Sequence, residues 1–544
     1  MRPAIVKLRS ATAALATVAL AATLGAQPRR AAHPAATATN TPHPKLIVAI
    51  IVDQFRYDYT TRFAARYTGG LHTLLTDGAV FLDAHQDHFP TVTATGHATY
   101  MTGSTPATSG IIGNEWFDRS LNRSITSVED ADTRLLGGKP GATGSSPHNL
   151  VISTLGDELK IADRNASHVV GISMKDRAAI LPAGRMANAA YWMDDTTGAI
   201  LSSTWYQPSL PSWVEKFNSS KPAEHYLGQC WTAPNGSALV TLPDQPGKPF
   251  IGAFETTPWS NDMLEDFAEL AMQQEDLGHH DGTDLLTVSF SANDHLGHAV
   301  GPDDPAVVEL SVATDVTIGR LLAAAEKQAG GRQNLLVVLS ADHGVAPVPE
   351  VSLAHRMPGG RADKADYTRT VEDALNARFG KAKWIIGGWE SGFYFDQNLI
   401  REHKLNPTDV EDEAARAVST LPYIERTYTR TQLLKREAMA SRVDDYVARS
   451  FFPERGPDLF VILKPYWLFG SEGTSHGSPW DYDTHVPLVF FGTGIHPGTY
   501  TERVGISDVA PTLAAFLHVQ TPSGSVGHIL PEIVIPASPA ITRH

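Results

Sequence analysis

The chain has 544 residues, 42% of them hydrophobic and 19% charged, which is enough for a large core or one big domain with insertions. Lys and Arg number 44 against 59 Asp and Glu, and the formal net charge of −15 excludes nucleic acid and anionic membrane as main partners, since both need a broad basic surface. The single cysteine, Cys230, excludes an internal disulfide and any cysteine-based zinc site, so a bound metal must be held by His, Asp and Glu.

The opening residues, MRPAIVKLRS, carry three cations and no acid and lead into the apolar run ATAALATVALAATLGA. This is the pattern of a signal peptide over residues 1–26, cleaved near Ala26, and it predicts a periplasmic or secreted protein. The run falls short of the ~20 apolar residues a span needs, and no later run reaches that length, so no stable membrane anchor is expected. Residues 27–44, QPRRAAHPAATATNTPHP, are rich in Ala, Thr and Pro without periodicity and read as a flexible linker.

Short apolar runs rich in β-branched residues follow: LIVAIIV (46–52), HVVGISM (168–174), LLTVSFS (285–291), LLVVLS (335–340) and VPLVFFG (486–492). They are continuous rather than alternating, as in strands buried on both faces of a parallel sheet. Helical stretches such as 263–274 and 308–329 lie between them. The predicted fold is α/β, a central mostly parallel sheet with helices on both faces. Two segments interrupt this rhythm. Residues 186–260, with several Trp, Pro and Ser and no period, read as an inserted cap. Residues 365–465 read as an α+β insertion, with helices around VEDALNARF and VEDEAARAVSTL and strands around SGFYF and DLFVILK.

Polar residues follow the apolar runs. LIVAIIV ends at Asp53, LLTVSFS leads to Asp294 and His298, LLVVLS to Asp342 and His343, and HVVGISM to Lys175 and Arg177. In open parallel sheets, ligands bind outside the carboxyl ends of the strands. His476 lies in a Gly- and Ser-rich loop, GSEGTSHGSP, shortly before VPLVFFG. Carboxylate oxygen with imidazole nitrogen suits zinc, whereas calcium would want oxygens alone. Six such ligands exceed what one zinc takes and point to two metals. A metal also lowers the pKa of a coordinated hydroxyl. The turn FPTVTATGHATY (89–100) offers Thr91, Thr93, Thr95 and Thr99 at a helix start, where backbone N–H groups favour an anion. Lys175 and Arg177 add positive charge, and Arg can fork onto two phosphate oxygens.

In order and spacing, IIVDQFRYDY, FPTVTATGHATYMTG, GIIGNEWFD, SMKDRAAILPAG, NDHLGHAVGP, SADHG, SHGSPWDYDTHVPLVFFG and DVAPTLAAFL resemble the alkaline phosphatase superfamily. Within it they are most similar to the exported, phosphate-insensitive alkaline phosphatases that use threonine. The resemblance implies a single catalytic domain over residues 45–544 and a nucleophile at the second threonine of T-x-T-x-x-x-H, here Thr93, with His97 closing the pattern. It implies two Zn²⁺ per chain, one held by Asp294, His298 and His476, the other by Asp53, Asp342, His343 and the Thr93 oxygen. Asn114 would hold a phosphoryl oxygen. Lys175 and Arg177 match the M-K-D-R motif of the monoesterase branch, which the nucleotide pyrophosphatase/phosphodiesterase branch lacks.

The implied protein is an exported alkaline phosphatase acting on small-molecule phosphate monoesters through a phosphothreonine intermediate, as a monomer and without nucleic acid. The alternative is a phosphodiesterase or nucleotide pyrophosphatase on the same scaffold. A sulfatase would need C/S-x-P-x-R where this chain has TVTAT. A non-catalytic binding protein stabilised by metal would lack a chemical residue, yet Thr93 and all six ligands are present. His485, in YDTHVP, competes with His476, and the Gly-rich loop favours His476, leaving His485 to pack at the strand start. His295 stands where similar sequences often carry an aromatic.

Overall fold

A computed structural model describes residues 43–534, apart from 390 and 437–439. The signal-peptide reading over 1–26, and all of the linker reading except residues 43 and 44, lie outside the described residues. Eleven strands form one sheet: β1 (Leu46–Val52), β2 (Ala79–His85), β3 (Glu129–Leu136), β4 (Thr143–Ser145), β5 (Val169–Ser173), β6 (Ala189–Met193), β7 (Ile200–Ser203), β8 (Asp284–Phe290), β9 (Leu335–Ser340), β10 (Leu488–Gly492) and β11 (Gly498–Gly505). Their spatial order is β11-β2-β10-β9-β1-β8-β5-β6-β7-β3-β4.

The five central strands, β9, β1, β8, β5 and β6, run parallel. Every residue in them is buried, which is why these segments are mostly apolar without alternation. β10 departs from the parallel expectation, lying antiparallel to β9 with Val338 opposite Phe490. Its run records double burial, which either strand direction satisfies. Beyond β6, the pairings with β7, β3 and β4 are also antiparallel.

The helices that matter here are α1 (Thr93–Thr102), α2 (Asp176–Ala183), α3 (Pro258–Gln274), α4 (Ala292–Val300), α5 (Pro305–Gln328) and α6 (Lys364–Phe379). Side chains alternate along β6 and separate the two faces of the sheet. Ala190 and Trp192 join a buried cluster with Ala94, Ala98, Ala179 and Ile180 of α1 and α2. Tyr191 and Met193 join the cluster of Phe267 and Leu310, on α3 and α5. Helices therefore cover both faces. The segment expected as a cap, 186–260, contributes β6 and β7 to the sheet before passing through helices Ser212–Ser219 and Lys248–Phe254, with the hairpin Cys230–Thr232/Ala238–Thr241 between them.

A second, four-stranded antiparallel sheet is built from Ile385–Trp389, Gly392–Phe395, Leu459–Leu463 and Ile424–Thr429. With α6 and the helix Pro407–Val418 it encloses its own buried cluster, including Val371, Trp384, Phe393 and Val461. No helix among the described residues is long and apolar enough to cross a membrane.

Candidate active site

The carboxyl ends of the parallel strands gather the polar side chains. Asp53 follows β1, Asp294 lies in the first turn of α4 after β8, Asp342 and His343 follow β9, and Lys175 caps α2 after β5. Two overlapping groups, Asp53–Asp342–His343 and Asp294–His343–His476, each bring their ligand atoms within 4.8 Å of one another. His343 Nε2 is 3.5 Å from Asp53 Oδ1 and 3.4 Å from Asp342 Oδ2. One helical turn beyond Asp294, His298 places its Nε2 3.2 Å from Asp294 Oδ1, and His476 Nε2 is 3.6 Å from the same oxygen. All six expected ligands thus converge, and the stacked rings of His343 and His476, 3.5 Å apart, join the two groups.

The main chain orients each imidazole. Nδ1 of His298 donates to Thr474 O (2.9 Å), Nδ1 of His343 to Gly344 O (2.9 Å), and Nδ1 of His476 to Thr91 O (2.8 Å). A carbonyl only accepts, so Nδ1 carries a proton in each ring and Nε2 is the atom turned toward the carboxylates. The loop carrying His476 is pinned by Asp483, which accepts from Ser478 N (2.8 Å) and Ser478 Oγ (2.5 Å) and is pushed by burial to a pKa of about 7.

The charges are crowded. Burial, reinforced by Asp342, pushes Asp53 well above the usual carboxylate range, with Lys175 opposing. Asp294 is equally buried, yet Lys175 and His298 hold it well below that range. Burial disfavours protonation of His298, but Asp294 outweighs this and raises its pKa to about 8. Burial and His343 hold His476 well below the ordinary histidine value. The Lys175 ammonium lies 2.5 Å from Asp53 Oδ2 and 2.6 Å from Asp294 Oδ2. Burial alone would lower its pKa, and those two carboxylates more than offset this. Three buried atoms that face one another, Asp53 Oδ1, Asp342 Oδ2 and His343 Nε2, have no hydrogen-bond partner among the described residues. Three carboxylates and three imidazole Nε2 atoms, converging in a buried place, fit divalent cations that accept mixed nitrogen and oxygen ligands.

The threonine turn packs against this cluster. Thr93 opens α1 after an extended Val92. Thr91 Oγ1 donates to Ser478 O (2.8 Å), and Thr95 Oγ1 shares its one proton between Pro90 O (2.9 Å) and Val92 O (2.8 Å) while accepting from Val92 N. Those two hydroxyls hold the turn, whereas the Thr93 hydroxyl makes no hydrogen bond among the described residues. His97 Nε2 meets Ser289 Oγ at 2.8 Å, and its Nδ1 lies 2.8 Å from Thr93 O and 3.3 Å from Asp342 Oδ2. A Cβ on Gly96 would sit 2.3 Å from Asp342 O, so glycine lets α1 lie directly on the ligand-bearing backbone.

Asn114 Oδ1 accepts from Ala94 N (2.8 Å), which leaves both amide hydrogens free to donate. Asn114 lines a cavity of about 440 Å³ together with His298 and His476. Arg177, in the first turn of α2, has a buried Nε without a partner among the described residues and lies 3.8 Å from Asp176.

One residue escapes sequence reasoning. Gln54 donates from its main-chain N to Asp342 Oδ1 (3.1 Å) and from Nε2 to Asp294 Oδ1 (2.7 Å), tying the two groups together. It does so with φ of 61°, a conformation that only the surrounding structure enforces. The available signal is Gly297 in NDHLGH, where a Cβ would lie 1.9 Å from Gln54 Oε1.

His485 stands apart from both groups, its Nε2 donating to Leu82 O (2.9 Å) and its ring stacked between Tyr57 and His85. Asp83, His85 and His485 form a third set of close donors, but the Arg503 guanidinium, 3.5 Å from Asp83, already supplies positive charge there. His295 faces Glu255 at 3.8 Å.

Residues 47–486 match the family described as type I phosphodiesterase / nucleotide pyrophosphatase. Alkaline phosphatase PafA of Elizabethkingia meningoseptica is 32% identical, over 91% of this chain and 95% of its own. Alkaline phosphatase PhoV of Synechococcus elongatus is 33% identical, over 90% of this chain and 93% of its own. The crystal structure of wild type PafA superposes with a TM-score of 0.85 at 32% identity, covering 91% of this chain and 99% of that one. Murine ectonucleotide pyrophosphatase / phosphodiesterase 5, at 15% identity and a TM-score of 0.51, covers 89% of this chain and 97% of its own and shares the fold alone. The chain belongs to the type I phosphodiesterase / nucleotide pyrophosphatase family, within the alkaline phosphatase superfamily.

Proposed function

We propose that this protein is an exported alkaline phosphatase that hydrolyses phosphate monoesters through a phosphothreonine at Thr93. The observation that carries this reading is the set of three imidazoles whose Nε2 atoms meet three buried carboxylates beside the first turn of α1. Asp294, His298 and His476 would hold one Zn²⁺, and Asp53, Asp342 and His343, with the Thr93 oxygen, a second. When bound, such ions supply positive charge at the reacting oxygens and lower the pKa of hydroxyl and water.

The residues of the chain do the rest. The Thr93 oxygen gives up its proton to solvent and attacks phosphorus in line, and as the new oxygen–phosphorus bond forms the ester oxygen leaves with its electron pair and takes up a proton from solvent to become the alcohol. Asn114 donates its free amide hydrogens to a phosphoryl oxygen. Lys175 and Arg177 stabilise charge on the remaining oxygens, and the N–H groups opening α1 favour the same anion. Water then cleaves the Thr93–phosphate bond, releasing phosphate and restoring the hydroxyl.

The family match also covers phosphodiesterases, which favours diester hydrolysis as the second reading. Turnover of an aryl phosphate monoester and its matching diester, with added zinc and after chelation, separates the two. The expected result is faster monoester turnover that disappears on chelation and falls by at least about a thousandfold in Thr93→Ala. Thr93→Ser should retain part of the activity. Faster diester turnover would overturn the monoesterase reading, and undiminished activity in Thr93→Ala would overturn the nucleophile.

A further inference from the structure

The cavity lined by Asn114, His298 and His476 extends beyond the groups assigned to phosphoryl transfer. Lys364, the first residue of α6, and Ser391, just before the strand Gly392–Phe395, line it as well. Both belong to the segment that builds the second sheet, whereas Lys175 and Arg177 come from the central one. With the phosphoryl end of an ester held at Asn114 and the histidines, its alcohol portion extends toward this other wall.

Local structure leaves the Lys364 ammonium available. The Asp363 carboxylate before it is engaged in capping α6, accepting from Ala365 N (2.7 Å) and Asp366 N (3.0 Å). The neighbouring cations are neutralised, Arg361 by Glu350 at 2.8 Å and Arg369 by Asp366 at 2.5 Å. Lys364 makes no ion pair among the described residues. In a chain of net charge −15, an unpaired ammonium on this wall reverses the prevailing sign just where a leaving group passes. Glu115 also lines the cavity, next to Asn114, so the lining carries one carboxylate as well as the ammonium.

We propose that Lys364 and Ser391 form a leaving-group subsite that selects phosphate monoesters whose alcohol portion carries a second anionic group. The subsite rests on the monoesterase reading above. Lys364 attracts the anion, and the Ser391 hydroxyl donates to it. Because Lys364 is exposed, the attraction is screened and its effect is a preference rather than a requirement.

The test is a pair of esters differing in one charge, propyl phosphate and the analogue with a terminal carboxylate, compared by kcat/KM on the zinc-supplemented protein at low salt. The ratio of charged to neutral substrate should fall about 3- to 10-fold in Lys364→Ala and further in Lys364→Glu, and it should be preserved in Lys364→Arg. Added salt should bring the unsubstituted protein's ratio toward that of Lys364→Ala. A ratio unchanged within about twofold in both Lys364→Ala and Lys364→Glu overturns the subsite while leaving the monoesterase reading intact. Failure of the unsubstituted protein to hydrolyse either ester overturns the monoesterase reading, and the subsite with it.

Discussion

Gln54 couples the two candidate metal groups through two hydrogen bonds that no ligand makes for itself. Gln54→Ala removes the side-chain amide and frees Asp294 to turn, while the main-chain N–H at position 54 still donates to Asp342. Zinc affinity, measured by competition with a chromophoric chelator, should weaken about 10- to 100-fold, and an unchanged affinity would show that the carboxylates are held without it.

A second residue-scale effect involves His85, buried between Thr484 and Asp83. Burial, with Arg503 adding to it, lowers its pKa from 6.5 to about 4. Between those values the unfolded chain binds the extra proton and the folded one does not. Stability is therefore full above the unfolded value and falls as pH drops from 6.5 toward 4. Urea titrations near neutrality and near pH 5 should differ, and His85→Gln, which takes no proton, should shrink that difference by about 2 kcal/mol. An equal difference in both proteins would place the acid sensitivity elsewhere.

At the scale of elements, α1 and the end of β9 form one unit because Gly96 lets them touch. In Gly96→Ala the added methyl meets Asp342 backbone, which cannot swing aside as a side chain can. Denaturant unfolding should show a loss of about 1–3 kcal/mol, and unchanged stability would mean that α1 can back away. The elements that sequence made legible are those whose environment is uniform. β1, β5, β8 and β9 are predominantly apolar because both faces are buried, and parallel topology then carries Asp53, Asp294 and Asp342 to one edge. Direction is not written in such a run, which is why β10 reads like its parallel neighbours. Strands such as β7 (ILSS) and β4 (TGS) carry too few apolar residues to announce themselves. Gln54 stayed hidden because its role depends on a backbone angle, and Lys364 because Asn114, His298 and His476, which line the same cavity, lie far from it in the chain.

For the whole molecule, folding buries Asp53, Asp294 and Asp342 together around one lysine, so the folded chain gathers carboxylates that the unfolded chain keeps apart. Cations that bind this folded cluster and not the unfolded chain must stabilise it by mass action. Thermal unfolding with zinc and after exhaustive chelation should differ by about 2–6 °C, the zinc-loaded protein melting higher, and coincident curves would argue against cation binding at these carboxylates. Composition anticipated the class of this solution, since a chain with one cysteine and 22 histidines must build such a centre from imidazole and carboxylate. It did not anticipate that a separately cored sheet would complete the cavity wall.

The proton on each candidate ligand histidine is fixed by a carbonyl of the polypeptide itself, at Gly344, Thr474 and Thr91. Such acceptors are present whatever side chain occupies those positions. Substituting Thr474 or Thr91 can shift a loop but cannot delete the partner, as mutating an aspartate in that role would. The ligand geometry is thereby insulated from drift in the residues behind it. Sequences around it are free to diverge so long as the path of the main chain is inherited.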